Sequence, residues 1–207
     1  MTTSCATEAL LKQILACRHC QQVGLIDEAR PILQWGQAAR IGVFGQAPGM
    51  RAHLASKPFW DPSGDRLREW LGVSADVFYD ASVFAIIPMG FCFPGYDARG
   101  ADKPPLAICA ERWRASLMMH LKRQLDLILL VGRYSQQWHL PERRRQSLTE
   151  VVSNWREWRG QLHPELQAEV LPLPHPSWRN NAWLRKNPWF ESELLPYLRQ
   201  RVSALIP

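Results

Sequence analysis

The sequence predicts an α/β protein: a three-layer α/β/α sandwich around a central four-stranded parallel sheet. Three observations lead there. Four short apolar runs, 41–44, 82–87, 125–131 and 168–173, are bounded by turn residues and read as buried strands. Segments with apolar residues at helical spacing lie between and around them, and strand–helix alternation implies a mostly parallel sheet with helices on both faces. The first and last runs end in loops rich in Gly or Pro, and in such folds ligands sit beyond the carboxyl ends of the strands.

Taken in order, 8–16 is a helix, followed by the strand 41–44 and the turn Gly45-Gln46-Ala47-Pro48-Gly49, with glycine at each end and proline fixing the backbone between. A helix over 65–71 follows, with Ser63 as its cap, then the strand 82–87. The stretch 90–105 is rich in Gly and Pro and reads as a long loop, uncommon unless something holds it. Helix 105–122, strand 125–131, helix 148–158 and strand 168–173 come next. The loop Pro174-His175-Pro176-Ser177 leads to a last helix over 190–205. No internal repeat or low-complexity tract interrupts the pattern.

The chain has 207 residues, the size of one α/β domain, so a single domain over 1–207 is expected. A formal charge of +6 is compatible with a polyanionic partner. Local sequence sharpens this: Arg143, Arg144 and Arg145 are consecutive, and 178–186 alternates cations with aromatic and amide side chains. Ten tryptophans are many for this length; some can stack on bases, and others are core or helix-packing residues. The N-terminal residues carry neither a basic nor an apolar leader region. No run approaches the roughly 18 apolar residues of a spanning helix. A cytoplasmic protein, away from membranes and monomeric, is expected.

Four cysteines form a close pair, Cys17-Arg18-His19-Cys20, and two distant members, Cys92 and Cys109. In a chain of intracellular character, thiols in this number point to a metal centre more than to disulfides. Zinc and iron–sulfur clusters both accept four thiolates. One tight pair with two ligands from a distant loop favours a [4Fe–4S] cluster over zinc, which usually takes two tight knuckles. Buried small hydrophobes are the alternative for individual cysteines. Cys5 is left over and expected to be unliganded.

Together, the Gly-x-x-Pro-Gly turn after the first strand and the His-Pro-Ser loop after the last resemble the two active-site motifs of the uracil-DNA glycosylase superfamily. The cysteine order resembles its iron–sulfur family 4 branch. The resemblance runs from Cys17 to about Pro196. It implies that Gly45, Gln46 and Ala47 contact the base and help place the attacking water, and that Phe59 stacks on the base. It implies that His175 stabilises the leaving anion. Ser177, Arg179, Asn180, Arg185 and Lys186 fall in the loop that enters DNA, and Cys17, Cys20, Cys92 and Cys109 match the cluster ligands.

Two positions depart from that family. Pro88 stands where many members have the asparagine that reads uracil, so either another group near Pro88 and Met89 reads the base or the preferred base is different. Gln46 stands where family 4 has glutamate and cannot act as a general base; Asp61 is the substitute candidate, and Asp65 another, although both also fit a turn and helix start. The sequence therefore predicts a monofunctional DNA glycosylase removing uracil or a related damaged base, with no lysine placed by any motif for a Schiff base. The alternative is a nucleic-acid-binding protein of the same fold with altered chemistry. The cluster is expected to be structural, since its ligands lie apart in sequence from Gln46, Phe59 and His175.

Overall fold

The computed structural model describes residues 3–122, 124–163 and 167–207. Strands β1 (Ile41–Phe44), β2 (Phe84–Ile86), β3 (Leu127–Val131) and β4 (Glu169–Leu173) form one sheet, all parallel, in the order β2-β1-β3-β4. The helices are α1 (Thr3–Leu15), α2 (His19–Gln22), α3 (Met50–Ala55), α4 (Pro62–Leu71), α5 (Ala75–Phe78) and α6 (Ala107–Leu121). There follow α7 (Arg133–His139), α8 (Leu148–Ser153), α9 (Trp155–Trp158), α10 (Asn181–Lys186) and α11 (Leu195–Ser203).

Every strand residue is buried, because side chains alternate between two covered faces. One face packs Ile41, Val43, Leu129 and Leu171 with Leu67 and Trp70 of α4 and Leu198 of α11. The other packs Phe44, Ile128, Leu130 and Val170 with Ile14 of α1 and Leu117 of α6. These are the three expected layers. The free edge of β2 is covered by an antiparallel bridge from Gln34 to Ile86, with the Gln34 amide donating to the Phe78 and Phe84 carbonyls.

Several boundaries differ from the sequence reading. The cap of α4 is Asp61, not Ser63: Asp61 Oδ1 accepts from the Gly64 N–H at 2.9 Å, and Pro62 begins the helix. The helix over 148–158 is two pieces. Ser147 and Glu150 close a capping box at its start, and Asn154 ends α8. The last helix opens with a π-helical turn, Phe190–Leu194, because Pro196 has no N–H to close an ordinary helical bond. Short α3, α5 and α7 were not foreseen; helices of this length draw their stability from tertiary packing and leave little periodic signal. Among the described residues, no helix is long and apolar enough to cross a membrane.

Candidate active site and thiol centre

A cavity of about 510 Å³ opens at the carboxyl ends of the strands. Its floor is the turn after β1, Gly45 through Gly49. Phe59, Asp61 and Ser63 form one side, Pro88 and 102–105 another, and His175 with Ser177 through Asn180 the third. In this strand order the connections leave β1 and β3 in opposite directions, so the crevice between those strand ends is the natural ligand position. Gln46 lies in that crevice, its amide nitrogen 2.4 Å from where a Cβ on Gly132 would stand, and Gly132 has φ +86°, a conformation that favours glycine after β3.

Phe59 reaches the cavity through a left-handed backbone, φ +53°, which a phenylalanine adopts at a cost. Two contacts hold it there. The Tyr79 hydroxyl donates to the Phe59 carbonyl at 3.1 Å, and Gly64 crosses so closely that a Cβ on it would stand 1.7 Å from the same oxygen. The Phe59 ring then lies over Gly45, 3.0 Å from where a Cβ would be, and nearly parallel to the His175 ring, with centroids 6.5 Å apart.

The charges around the cavity are unevenly placed. Burial lowers the pKa of His175 to about 4; Asp61 opposes the shift and Arg179 adds to it. The imidazole is therefore neutral near pH 7, and its ring makes no hydrogen bond to a described residue, leaving an N–H available to a ligand. Asp61 divides its two oxygens. Oδ1 caps α4, while Oδ2 faces Gly49, 3.8 Å from where a Cβ would stand. Asp102 Oδ2 approaches the same point at 3.1 Å. Partial enclosure raises the Asp102 pKa, Asp61 raises it further, and Arg179 works against both.

Asp102 arrives on the loop 90–105, which is not structureless. Tyr96 and Asp102 form an antiparallel bridge, the Asp97 N–H donates to the Ala101 carbonyl, and Asp97 Oδ1 accepts from the Arg99 and Ala101 N–H groups. The wall beside it, 87–90, has its backbone already engaged. The Met89 and Gly90 N–H groups donate to the Gly45 and Gln46 carbonyls, and Arg114 donates to the Ile87 and Pro88 carbonyls.

Cys17, Cys20, Cys92 and Cys109 are free thiols that line one mostly apolar pocket with Ala29, Pro31, Phe91, Leu106 and Trp113. Burial pushes Cys92 up to about 11 and Cys109 up to about 12, with the neighbouring cysteines adding to both shifts. Four such thiols ionise together only when a cation compensates them. Among the described residues, no group of three His, Cys, Asp or Glu side chains is arranged to hold a single metal ion. The all-sulfur donor set and the apolar shell fit an iron–sulfur cluster chemically. The side chain of Cys5 lies outside what the structure describes.

The cysteines do not stand apart from the cavity. Cys92 and Cys109 bracket the loop that carries Asp102 and the prolines of the cavity wall, so whatever joins the thiols also fixes that wall. Of the other sequence-predicted residues, Gly45, Gln46, Ala47, Phe59, Asp61, Pro88, His175, Ser177, Arg179 and Asn180 line the cavity. Met89 is buried and does not line it; it sits in the bend after β2, with its N–H donating to the Gly45 carbonyl. Arg185 and Lys186 are exposed on α10, away from the cavity lining. Asp65 pairs with Arg68 on the outer face of α4. Asp102, Tyr134 and Lys103 line the cavity without having been foreseen; no spacing marks them, and only the folded-back loop and the start of α7 bring them in. The Lys103 ammonium folds along its own hairpin, 3.8 Å from where a Cβ on Gly95 would stand.

The family profile described as Uracil DNA glycosylase superfamily matches residues 34–199 of the chain. The matched span holds all four strands and every residue of the cavity; Cys17 and Cys20 precede it.

Two outcomes test this geometry. Gly64→Ala must displace the Phe59 carbonyl, and we expect a loss of about 2 kcal/mol or more in denaturant unfolding. A stability equal to wild type would show that the crossing is loose. Second, the His175 ring protons followed by NMR should titrate with a midpoint near 4 instead of the ordinary 6.5. The unfolded chain takes up that proton first, so this group's contribution to stability is present above about 6.5 and lost as the pH falls toward 4.

Proposed function

The chain belongs to the uracil-DNA glycosylase superfamily, and we propose that it is a monofunctional DNA glycosylase removing uracil or a related damaged base. The observation carrying this reading is that a neutral His175 and the carboxylate of Asp61, far apart in sequence, line the same cavity beside Phe59. The N-glycosidic bond breaks toward a sugar cation and a base anion. Catalysis therefore needs a preorganised donor on the base side and negative charge on the sugar side.

The residues divide accordingly. With the base flipped in and stacked on Phe59, a His175 N–H donates to the oxygen on which the leaving anion's charge collects. Asp61 Oδ2 faces the sugar cation and accepts a proton from the attacking water as its oxygen bonds to C1′ and the C1′–N bond breaks. The base anion leaves with the electron pair and is protonated from solvent. Gln46, carrying no charge, positions the base or water without taking a proton. Asp102, with its raised pKa, is the second carboxyl group at this end of the cavity.

Trp178 supports a role in base extrusion. It is 73 % exposed at the cavity lip, in a short 3-10 turn from Trp178 to Asn180. Arg66 fastens the loop by donating to the Ser177 carbonyl and to Asn181 Oδ1, and Asn180 donates to the His175 carbonyl at 2.7 Å. An anchored loop with a bare indole suits a wedge into the gap left by a flipped base. When bound, an iron–sulfur cluster on Cys17, Cys20, Cys92 and Cys109 would supply a structural anchor for the loop carrying Asp102. The alternative, a DNA-binding protein of the same fold with altered chemistry, draws on Gln46 and Pro88.

The primary test is release of free base from a single-stranded oligonucleotide containing one deoxyuridine. We expect release, at least a hundredfold less with His175→Ala, and a product that borohydride does not trap on the protein. Asp61→Asn should keep the helix cap, since asparagine caps as well as aspartate. Its stability should stay within about 1 kcal/mol of wild type while excision drops tenfold or more. Salt-dependent binding with no release of any base tried would select the binding-protein reading. Trp178→Ala should slow excision from duplex substrate about tenfold while changing single-stranded substrate little, since only the duplex must be held open.

A further inference from the structure

Arg114 is a fully buried cation that has no anionic partner among the described residues. It is 1 % exposed, on α6, one turn and a half after Cys109. Its Nε and Nη2 point at Nε2 of His139 at 3.0 and 2.9 Å, its Nη1 donates to the Ile87 and Pro88 carbonyls at 3.2 and 3.3 Å, and its plane lies over the Phe44 ring at 4.2 Å. None of these is negative. Burial and the charge of Arg114 hold the His139 pKa well below its ordinary value, so His139 is neutral and accepts through Nε2. Among the described residues, no carboxylate pairs with Arg114. A buried charge in this state carries a large desolvation penalty unless something beyond these hydrogen bonds neutralises it.

The thiol centre lies in the right direction. Cys109 lies five residues before Arg114 on α6, and Cys92 follows the 87–90 wall whose carbonyls Arg114 holds; burial lowers the guanidinium pKa to about 9 even with Cys109 opposing it. The Phe91 N–H points at Cys109 Sγ at 3.5 Å. Cys109 sits in the first turn of the fifteen-residue α6, whose start has no side-chain cap and no acidic residue, leaving the positive end of the helix dipole facing the thiols. Four thiolates around an oxidised [4Fe–4S] core would bring about two net negative charges.

We propose that Arg114 is the buried counter-charge of a four-thiolate metal centre and a positioning residue that ties this centre, through the Ile87 and Pro88 carbonyls, to the wall of the base cavity. The inference rests on reading Cys17, Cys20, Cys92 and Cys109 as metal ligands. Its distinct content is that the centre's charge, and not merely its covalent crosslink, holds 87–90 in place. Loss of the metal would leave Arg114 uncompensated beneath that wall.

The test compares wild type with Arg114→Gln and Arg114→Lys, each purified anaerobically with its metal. Glutamine can still donate to a carbonyl but carries no charge; lysine keeps the charge. Extraction of metal by a chelator should be at least tenfold faster from Arg114→Gln than from wild type, with Arg114→Lys within about threefold of wild type. Where the metal is an iron–sulfur cluster, the reduction potential should fall in Arg114→Gln and be restored in Arg114→Lys, because removing a nearby cation disfavours the added electron. Equal extraction rates from metal-bearing wild type and Arg114→Gln would overturn the counter-charge role alone. A wild type that purifies without stoichiometric metal would overturn the ligand reading and this inference with it. Should Arg114→Gln not fold, a foldable Arg114→Lys that loses metal at least tenfold faster would also overturn the inference, since it retains the charge.

Discussion

The site depends on one close crossing of backbone, where Gly64 passes the Phe59 carbonyl so tightly that no Cβ fits between them. That crossing makes the left-handed turn at Phe59 tolerable, since the Tyr79 hydroxyl satisfies the same carbonyl. The arrangement of Phe59, Asp61 and the start of α4 follows from it. The turn lays the Phe59 ring over Gly45, starts α4 at Pro62, and orients Asp61 so that one oxygen caps the helix while the other faces the cavity. Strain of this kind persists where surrounding structure over-determines it, and it concentrates at sites that need fixed geometry. The turn explains why a residue that reads as an ordinary helix cap is also available for chemistry.

The charge layout follows from burial. His175 is held neutral because the cavity desolvates it, although Asp61 pulls the other way. A charged imidazole would bind a base anion more strongly in isolation, but keeping it charged in this enclosure would cost more than the contact returns. A neutral donor on the base side with carboxylates on the sugar side matches the direction in which charge separates during glycosidic cleavage. Arg179 sits near both sets, opposing the raised pKa of Asp102 and the protonation of His175. It thereby favours the anionic form of Asp102 and adds to the effect of burial on His175.

Much of this was legible in the sequence because it was carried by local signals. The four strands are short, apolar and buried on both faces, so their runs stand out whatever the tertiary context. The turn at 45–49 and the loop at 174–177 are marked by Gly and Pro, whose backbone restrictions are intrinsic. What was missed depends on return contacts between distant segments. Asp102 is an unremarkable acid in a Gly/Pro-rich loop until the Asp97 turn folds that loop over Gly49. Gly64 looks like a turn residue, and only the approach of Phe59 makes it obligatory. Arg114 reads as one polar position on an amphipathic helix, since periodicity does not reveal that the helix is covered there on all sides. The sequence placed the cap at Ser63 and set Asp61 in the turn before the helix, because a residue letter does not show that one Asp61 oxygen caps α4 while the other faces Gly49.

Pro88 changes how a base could be selected. The wall from Ile87 to Gly90 presents no uncommitted backbone donor: Met89 and Gly90 N–H groups are spent on Gly45 and Gln46, proline has none, and Arg114 occupies the Ile87 and Pro88 carbonyls from behind. Met89 turns inward, so the surface facing the cavity is the Pro88 ring. A wall of this kind discriminates by shape, and an apolar surface rejects a polar analogue far less sharply than a hydrogen-bonding one. Selectivity must then come from elsewhere. Gln46 and Tyr134 bring side-chain polar groups to the cavity, and in the proposed reaction the cost of extruding the base would add to them, since mispaired, damaged or unpaired bases leave the stack most cheaply. The expected consequence is a preference set by how easily a base is extruded as well as by which base it is, with the difference between uracil and its analogues shrinking in single strands.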